Sequence, residues 1–178
     1  NMLNHKNIKL MLNTDFKEVC YLKDEDFYLF GSKFQGQVIY TGQIDELFDY
    51  KFGDLPYRSV NMKFETYEQE YYQEKATVNY PNDYDFTRIT EFKHIHPINS
   101  NKTTILKEYP QEYVKNKNIP YYPIFTQENQ NKYNQYLDYS KQFDNLILLG
   151  RLAEYKYYDI DDIVERVLRS EERRVGKE

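Results

Sequence analysis

Between Tyr57 and Ile124 the chain cannot form a long helix, because Pro81, Pro97, Pro110 and Pro120 cut it into short extended runs. A proline lacks the amide proton that a ladder needs, so each of these positions is expected to end a strand. The clearest run is Phe86–Ile95 (FTRITEFKHI), which alternates. Phe86, Arg88, Thr90, Phe92 and His94 would share one face, and Thr87, Ile89, Glu91, Lys93 and Ile95 the other. Arg58–Tyr67, Ala76–Tyr80 and Thr103–Tyr109 read as further strands, and the segment predicts a mostly antiparallel sheet. Asn118–Ile124 (NIPYYPI) predicts a rigid turn presenting two adjacent tyrosines.

The flanks read differently, so the fold class is α+β. Ile8–Leu12, Val19–Leu22 and Phe27–Phe30 are short strand candidates, and Gln37–Tyr40 is a compact apolar strand ending at Thr41–Gly42. Ile44–Tyr50 then has helical spacing, giving a strand, a glycine turn and a helix, a common way to aim backbone N–H groups at an anion. Gln127–Phe143 predicts an amphipathic helix with Tyr133, Tyr136, Leu137 and Phe143 on its apolar side. Leu146–Leu149 is a buried strand closed by Gly150–Arg151, and Asp161–Leu168 is a helix with an acidic first turn.

Several functions are excluded early. A net charge of −5 over 178 residues argues against nucleic acid as a partner. The longest apolar run, Leu146–Leu149, is too short to cross a membrane, and no apolar signal-peptide centre is present at the N-terminus, so a cytoplasmic location is expected. Gly31 and Gly36 have phosphate-loop spacing, but Gln37–Val38 follows where Lys and Ser/Thr are required. There is no nucleophile elbow. His94 and His96 would share a strand face but lack further metal ligands in sequence, so no metal is expected. Cys20, the one cysteine, reads as a small buried residue. Glu91 with Glu108, and Asp159 with Asp161, are the nearest thing to a hydrolytic carboxylate pair.

What remains is arginine and tyrosine. The chain holds 20 Tyr, 11 Phe and no Trp, and it prefers lysine to arginine outside its last ten residues. The arginines there are Arg58, Arg88, Arg151 and Arg166, and a planar bidentate fork suits carboxylate or phosphate. Arg166 falls on the polar face of the last helix and is expected in solvent. Arg88, Tyr121, Tyr122, Arg151, Tyr155, Tyr157, Tyr158 and Asp159 could bind sugar and pyrophosphate oxygens. Equally, the tyrosines could form a half-buried packing layer, and the residues alone leave both readings open.

Longer motifs narrow the choice. Leu55–Val60 (LPYRSV), Asp85–His94 (DFTRITEFKH), Lys107–Pro110 (KEYP), Pro120–Ile124 (PYYPI) and Gly150–Asp161 (GRLAEYKYYDID), after Val38–Tyr50 (VIYTGQIDELFDY), resemble the UDP-galactopyranose mutase family in order and spacing. The resemblance covers about Ile8 to Leu168. It implies an FAD-dependent isomerase in bacterial cell-surface sugar synthesis that interconverts UDP-galactopyranose and UDP-galactofuranose. There, reduced flavin attacks the anomeric carbon, UDP departs, and the sugar ring opens and recloses on the flavin before UDP returns. By the same resemblance Arg88 holds the diphosphate with Tyr122 and Tyr157, and Tyr155 and Arg58 line the substrate site. Arg151, Tyr158, Asp159, Ile160, Asp161, Asp162, Ile163, Thr41 and Gly42 fall to the cofactor. Ile160 and Phe92 stand where the family often has Met and His.

The resemblance further implies a division of the chain. Residues 1–54 and 126–168 would belong to a split, Rossmann-like FAD-binding domain, and 55–125 to the substrate-side sheet. A Gly-x-Gly-x-x-Gly motif is not found in this sequence. The expectation is therefore a C-terminal portion whose partner is the N-terminal half of the same enzyme, inactive alone, with the whole enzyme a homodimer. Arg169–Glu178 (RSEERRVGKE) has the character of a translated sequencing adapter and is expected to be non-native. The alternatives from other classes are a non-catalytic nucleotide-sugar or glycan-binding module and a flavin oxidase of related fold.

Overall fold

The computed structural model describes residues 3–175, and side chains as far as residue 171. Asn1, Met2 and the end of the adapter-like tail, residues 176–178, lie outside the described residues. The described residues are α+β and their sheets mostly antiparallel, as expected. Ile8–Leu12 is not a strand. A four-residue helical turn, α1 (Phe16–Val19), capped by the Asp15 side chain, leads into the hairpin β1 (Cys20–Lys23) and β2 (Asp26–Leu29), extended by β3 (Ser32–Lys33). Next come β4 (Val38–Tyr40) and α2 (Ile44–Leu47), a single turn that stops short of Tyr50 because Asp49 and Tyr50 adopt positive φ.

The central sheet is built from β5 (Tyr57–Tyr67), β6 (Thr77–Asn79), β7 (Arg88–Glu91), β8 (Thr103–Glu112) and β9 (Tyr122–Pro123) in the order β6-β7-β8-β5-β9. Two expectations fail here. The alternating run ends as a strand at Glu91, and Phe92–His94 turns into a 3-10 helix. Glu91, Lys93 and His94 all bind the loop around residues 70–73, and that pulls the chain out of the ladder. Conversely, β8 runs through Pro110 to Glu112. The pairing with β7 reaches only Arg88↔Glu108, so the amide that Pro110 lacks faces no partner strand on that side.

After Thr126 caps it with its side chain, α3 (Gln127–Ser140) buries Tyr133 and Tyr136. Then β10 (Leu146–Leu148) pairs in parallel with β4, and α4 (Ile160–Val175) follows. The adapter-like stretch from Arg169 thus continues α4 within the described residues, where Arg169 bonds Glu165. The main core is aromatic and joins the flanks to one end of the central sheet. Tyr57, Tyr133 and Tyr155 stack or meet edge-on, and Phe48 packs among Tyr136, Tyr139 and Phe143. Cys20 lies in this core, where burial raises its thiol pKa. No described helix is long and apolar enough to cross a membrane.

Candidate functional site

Cross-strand partners share a sheet face, so the register decides which motifs meet. Asn79 pairs with Arg88, Arg88 with Glu108, Val60 with Pro110, and Arg58 with Tyr122. These residues therefore lie on one face although the sequence scatters them over more than forty positions. They line a cavity of about 340 Å³ that includes Arg58, Arg88, Tyr122, Asn79 and Glu108. The opposite face carries Ile89, Glu91 and Ile105, all buried.

Within the cavity Arg88 is held from the side. Its Nε donates to Asn79 Oδ1 at 3.0 Å, and Nη1 lies 3.7 Å from Glu108 Oε1, leaving the Nη2 edge engaged by neither. At the rim Arg151 lies over two rings, 4.5 Å from the Tyr157 centroid and 5.3 Å from that of Tyr122, and these two rings stack at 5.9 Å. The Arg151 guanidinium also donates to the Tyr158 carbonyl, with Nε at 2.7 Å. Tyr157 donates its hydroxyl to Asp159 Oδ1 at 2.9 Å, and this bond to a carboxylate raises the phenol's pKa. Asp162 in turn accepts from the Asp159 amide at 3.1 Å.

Of the expected substrate ligands, Arg58, Arg88, Tyr122 and Tyr157 are thus brought together. Tyr155 is not a lining residue. It is buried, with its ring in the aromatic core and its hydroxyl on backbone carbonyls. Among the expected cofactor ligands, Arg151 and Asp159–Ile163 form a continuous corner into the start of α4, with Ile160, Asp161 and Asp162 exposed. Tyr158 departs from that set, since its ring is buried toward Glu154 and Arg166 and only its carbonyl faces Arg151. Thr41 and Gly42 follow the carboxyl end of β4, side by side with that of β10, where the Leu149 amide donates to the Tyr40 carbonyl at 3.0 Å. Arg166 is half-buried and paired with Glu154 at 2.8 Å rather than solvated, because Glu154 projects from the Gly150–Tyr158 loop onto α4.

Sequence reasoning missed Asn79 and Glu108 as partners of Arg88. Only pairing register could reveal them, since neither is near Arg88 in a helical or strand period. Glu91 and Glu108 lie on opposite faces of the sheet, which removes them as a hydrolytic pair. His94 Nε2 lies 2.9 Å from the Gln73 carbonyl and 3.3 Å from Glu91, and its ring stacks on Tyr71. No group of three or more potential metal ligands occurs among the described residues.

Comparison with known proteins agrees with the motifs. The family model for UDP-galactopyranose mutase matches residues 1–157. The dTDP-fucopyranose mutase of Escherichia coli is 34% identical over 170 residues, which cover 94% of this chain and 44% of that protein. The UDP-galactopyranose mutase of Mycoplasma genitalium is 34% identical over 168 residues, covering 92% and 41%. That of Mycoplasma pneumoniae is 30% identical over 172 residues, covering 94% and 43%. The chain therefore spans about two fifths of the length of these relatives.

Proposed function

Since the chain belongs to the UDP-galactopyranose mutase family, we propose that its arginine-bearing sheet face binds the diphosphate of a nucleotide-activated hexose in a flavin-dependent sugar mutase. The supporting observation is the convergence of Arg58, Arg88 and Tyr122 on one cavity, with Arg151 and Tyr157 stacked at its edge. Arg88 presents its free edge to the phosphates, and Tyr122 and Tyr157 donate hydroxyls to them. As the bond from the anomeric carbon to the diphosphate breaks, charge gathers on the leaving oxygen, and Arg58 and Arg88 stabilise it. The names of the two kinds of relative differ in nucleotide and in sugar but share a diphosphate. That common group is what these arginines read.

The flavin is assigned to the corner beside the cavity. Ligands of open α/β sheets sit outside the carboxyl ends of parallel strands, and here β4 and β10 end together at Thr41–Gly42 and Gly150–Arg151. The first turn of α4 is acidic, which suits the ribityl hydroxyls of a flavin better than its phosphates. Arg151, Asp159 and Ile160–Ile163 would therefore flank the ring and ribityl chain, and Thr41–Gly42 would close the opposite side. When bound and reduced, the flavin supplies the electron pair that attacks the sugar.

Titration of the chain with UDP, followed by tyrosine fluorescence, tests the diphosphate reading. Saturable binding is expected, weakened by salt and by Arg88→Ala, and shared by inorganic pyrophosphate but not by uridine. Failure of UDP to bind the wild-type chain, or binding unaffected by Arg88→Ala, overturns it. Mixed with FAD and desalted, the chain is expected to emerge colourless and without turnover. A yellow protein would refute the division of the flavin site between these residues and the remaining length of the relatives.

A further inference from the structure

Tyr155, a motif tyrosine that the cavity does not expose, sits where three parts of the site meet. Tyr155 donates its hydroxyl to the Pro56 carbonyl at 2.7 Å and shares it with the Ile124 carbonyl at 3.1 Å. Pro56 lies two residues before Arg58, Ile124 two residues after Tyr122, and Tyr155 itself two residues before Tyr157. We propose that Tyr155 is a positioning residue, whose hydroxyl ties the segments carrying Arg58, Tyr122 and Tyr157 into the one arrangement that a nucleoside diphosphate requires. The proposal rests on the reading of the cavity given above.

The need for such a tie follows from the weakness of the pairing it supports. Strands β5 and β9 share only the pairs Tyr57↔Pro123 and Arg58↔Tyr122, and Pro123 has no amide to contribute. The remaining backbone bonds are Tyr121 N to Arg58 O at 2.8 Å and Ile124 N to Pro56 O at 3.2 Å. The Tyr155 hydroxyl adds its bond at the end of this thin ladder, on the same Pro56 carbonyl that accepts from Ile124. Its ring is fixed by Tyr57 edge-on at 5.4 Å and Tyr133 stacked at 5.6 Å. The backbone of Tyr155 has φ 45°, a conformation a bulky side chain adopts only where its surroundings compensate. Burial pushes the phenol pKa up to about 12, so the donor hydrogen is retained at any physiological pH.

Tyr155→Phe removes the hydroxyl and keeps the ring. Tyr136→Phe is the matched control: the Tyr136 hydroxyl also bridges backbone, accepting from the Phe52 amide at 3.0 Å and donating to the Gly53 carbonyl at 2.8 Å, but at segments that do not line the cavity. In the 15N-labelled chain, Y155F is expected to weaken UDP binding about fivefold and to speed amide exchange at Tyr121 and Ile124 by at least that factor. Exchange within the β5–β8 ladder should not change, and Y136F should leave both readouts at wild-type values while lowering overall stability. Equal UDP affinity in Y155F and wild type, or equal losses in Y155F and Y136F, overturns the proposal. If the wild-type chain does not bind UDP, the functional reading fails instead, and unchanged exchange at Tyr121 and Ile124 in Y155F then refutes the positioning role by itself. Should Y155F unfold, the same measurements in a stabilising osmolyte such as trimethylamine N-oxide restore the comparison.

Discussion

Replacing Glu91 puts the largest polar demand in the sheet to the test. The side chain is fully buried, and its two oxygens accept from Tyr72 N at 2.9 Å, Gln73 N at 3.0 Å and Thr103 Oγ1 at 2.5 Å, with His94 Nε2 3.3 Å away. Burial alone would raise its pKa, but the Thr103, Tyr72 and Gln73 hydrogen bonds and the His94 charge outweigh it, and the carboxyl titrates below its ordinary value. Glu91→Ala strands these buried donors, which costs about 3–5 kcal/mol by analogy with breaking a buried ion pair. Glu91→Gln is the sharper change, because one carboxylate oxygen becomes an NH2 facing donors that it cannot satisfy. The expected loss is about 2–3 kcal/mol, at hydrogen-bond strengths of roughly 1–3 kcal/mol for buried groups. Urea unfolding followed by circular dichroism measures it, and amide exchange at Tyr72 and Gln73 locates it. A loss for E91Q under about 0.5 kcal/mol would falsify the claim that this carboxylate pins the loop around residues 70–73 to the sheet.

The same linkage fixes the pH response. A carboxyl whose folded pKa is depressed stabilises the fold above its unfolded pKa of about 4.3, and that contribution disappears as pH falls through the lower, folded value. The wild-type chain should therefore lose stability below about pH 4, with E91Q showing a shallower acid limb.

Other residues give independent checks. Arg88→Lys should weaken UDP binding about tenfold, since an ammonium cannot keep both the Asn79 bond and a bidentate phosphate contact, and Asn79→Ala should weaken it about threefold by freeing the same guanidinium; calorimetric titration reads both. Gly42→Ala places a methyl 2.6 Å from the Tyr40 hydroxyl oxygen and 2.8 Å from its ring, and because that ring is buried the change should cost about 1–3 kcal/mol in urea unfolding. Glu154→Ala removes the acceptor for both Gly150 N at 2.9 Å and Arg166 Nε at 2.8 Å, so it should speed amide exchange at Gly150 and cost about 1–3 kcal/mol.

How far the sequence disclosed this molecule depends on whether local or cross-strand physics decides each feature. The strands β5, β6 and β8, the helix α3 and the parallel strand β10 follow from short-range signals, namely alternation, the apolar spacing of Tyr133, Tyr136 and Leu137, and an apolar run before glycine. The end of β7 does not, because the chain leaves the alternating pattern after Glu91 only through partners some twenty residues earlier, at Tyr72 and Gln73. Pro110 fails to end β8 for a like reason: whether a missing amide matters depends on how far the neighbouring strand extends, and the pairing with β7 stops at Arg88. The site divides along the same line. Arg58, Arg88, Tyr122, Arg151 and Tyr157 were legible as residue types in motifs, yet Tyr155 in the same motif points into the core, and no pattern in Gly150–Asp161 separates it from Tyr157. Positive φ at Tyr155 turns the loop there, so the side chain on one side of the turn enters the core and the next odd position, Tyr157, faces Arg151. A motif can thus carry a binding residue and the residue that holds it in place only two positions apart, and the hydrogen-bond partners of each, rather than their membership of the motif, tell them apart.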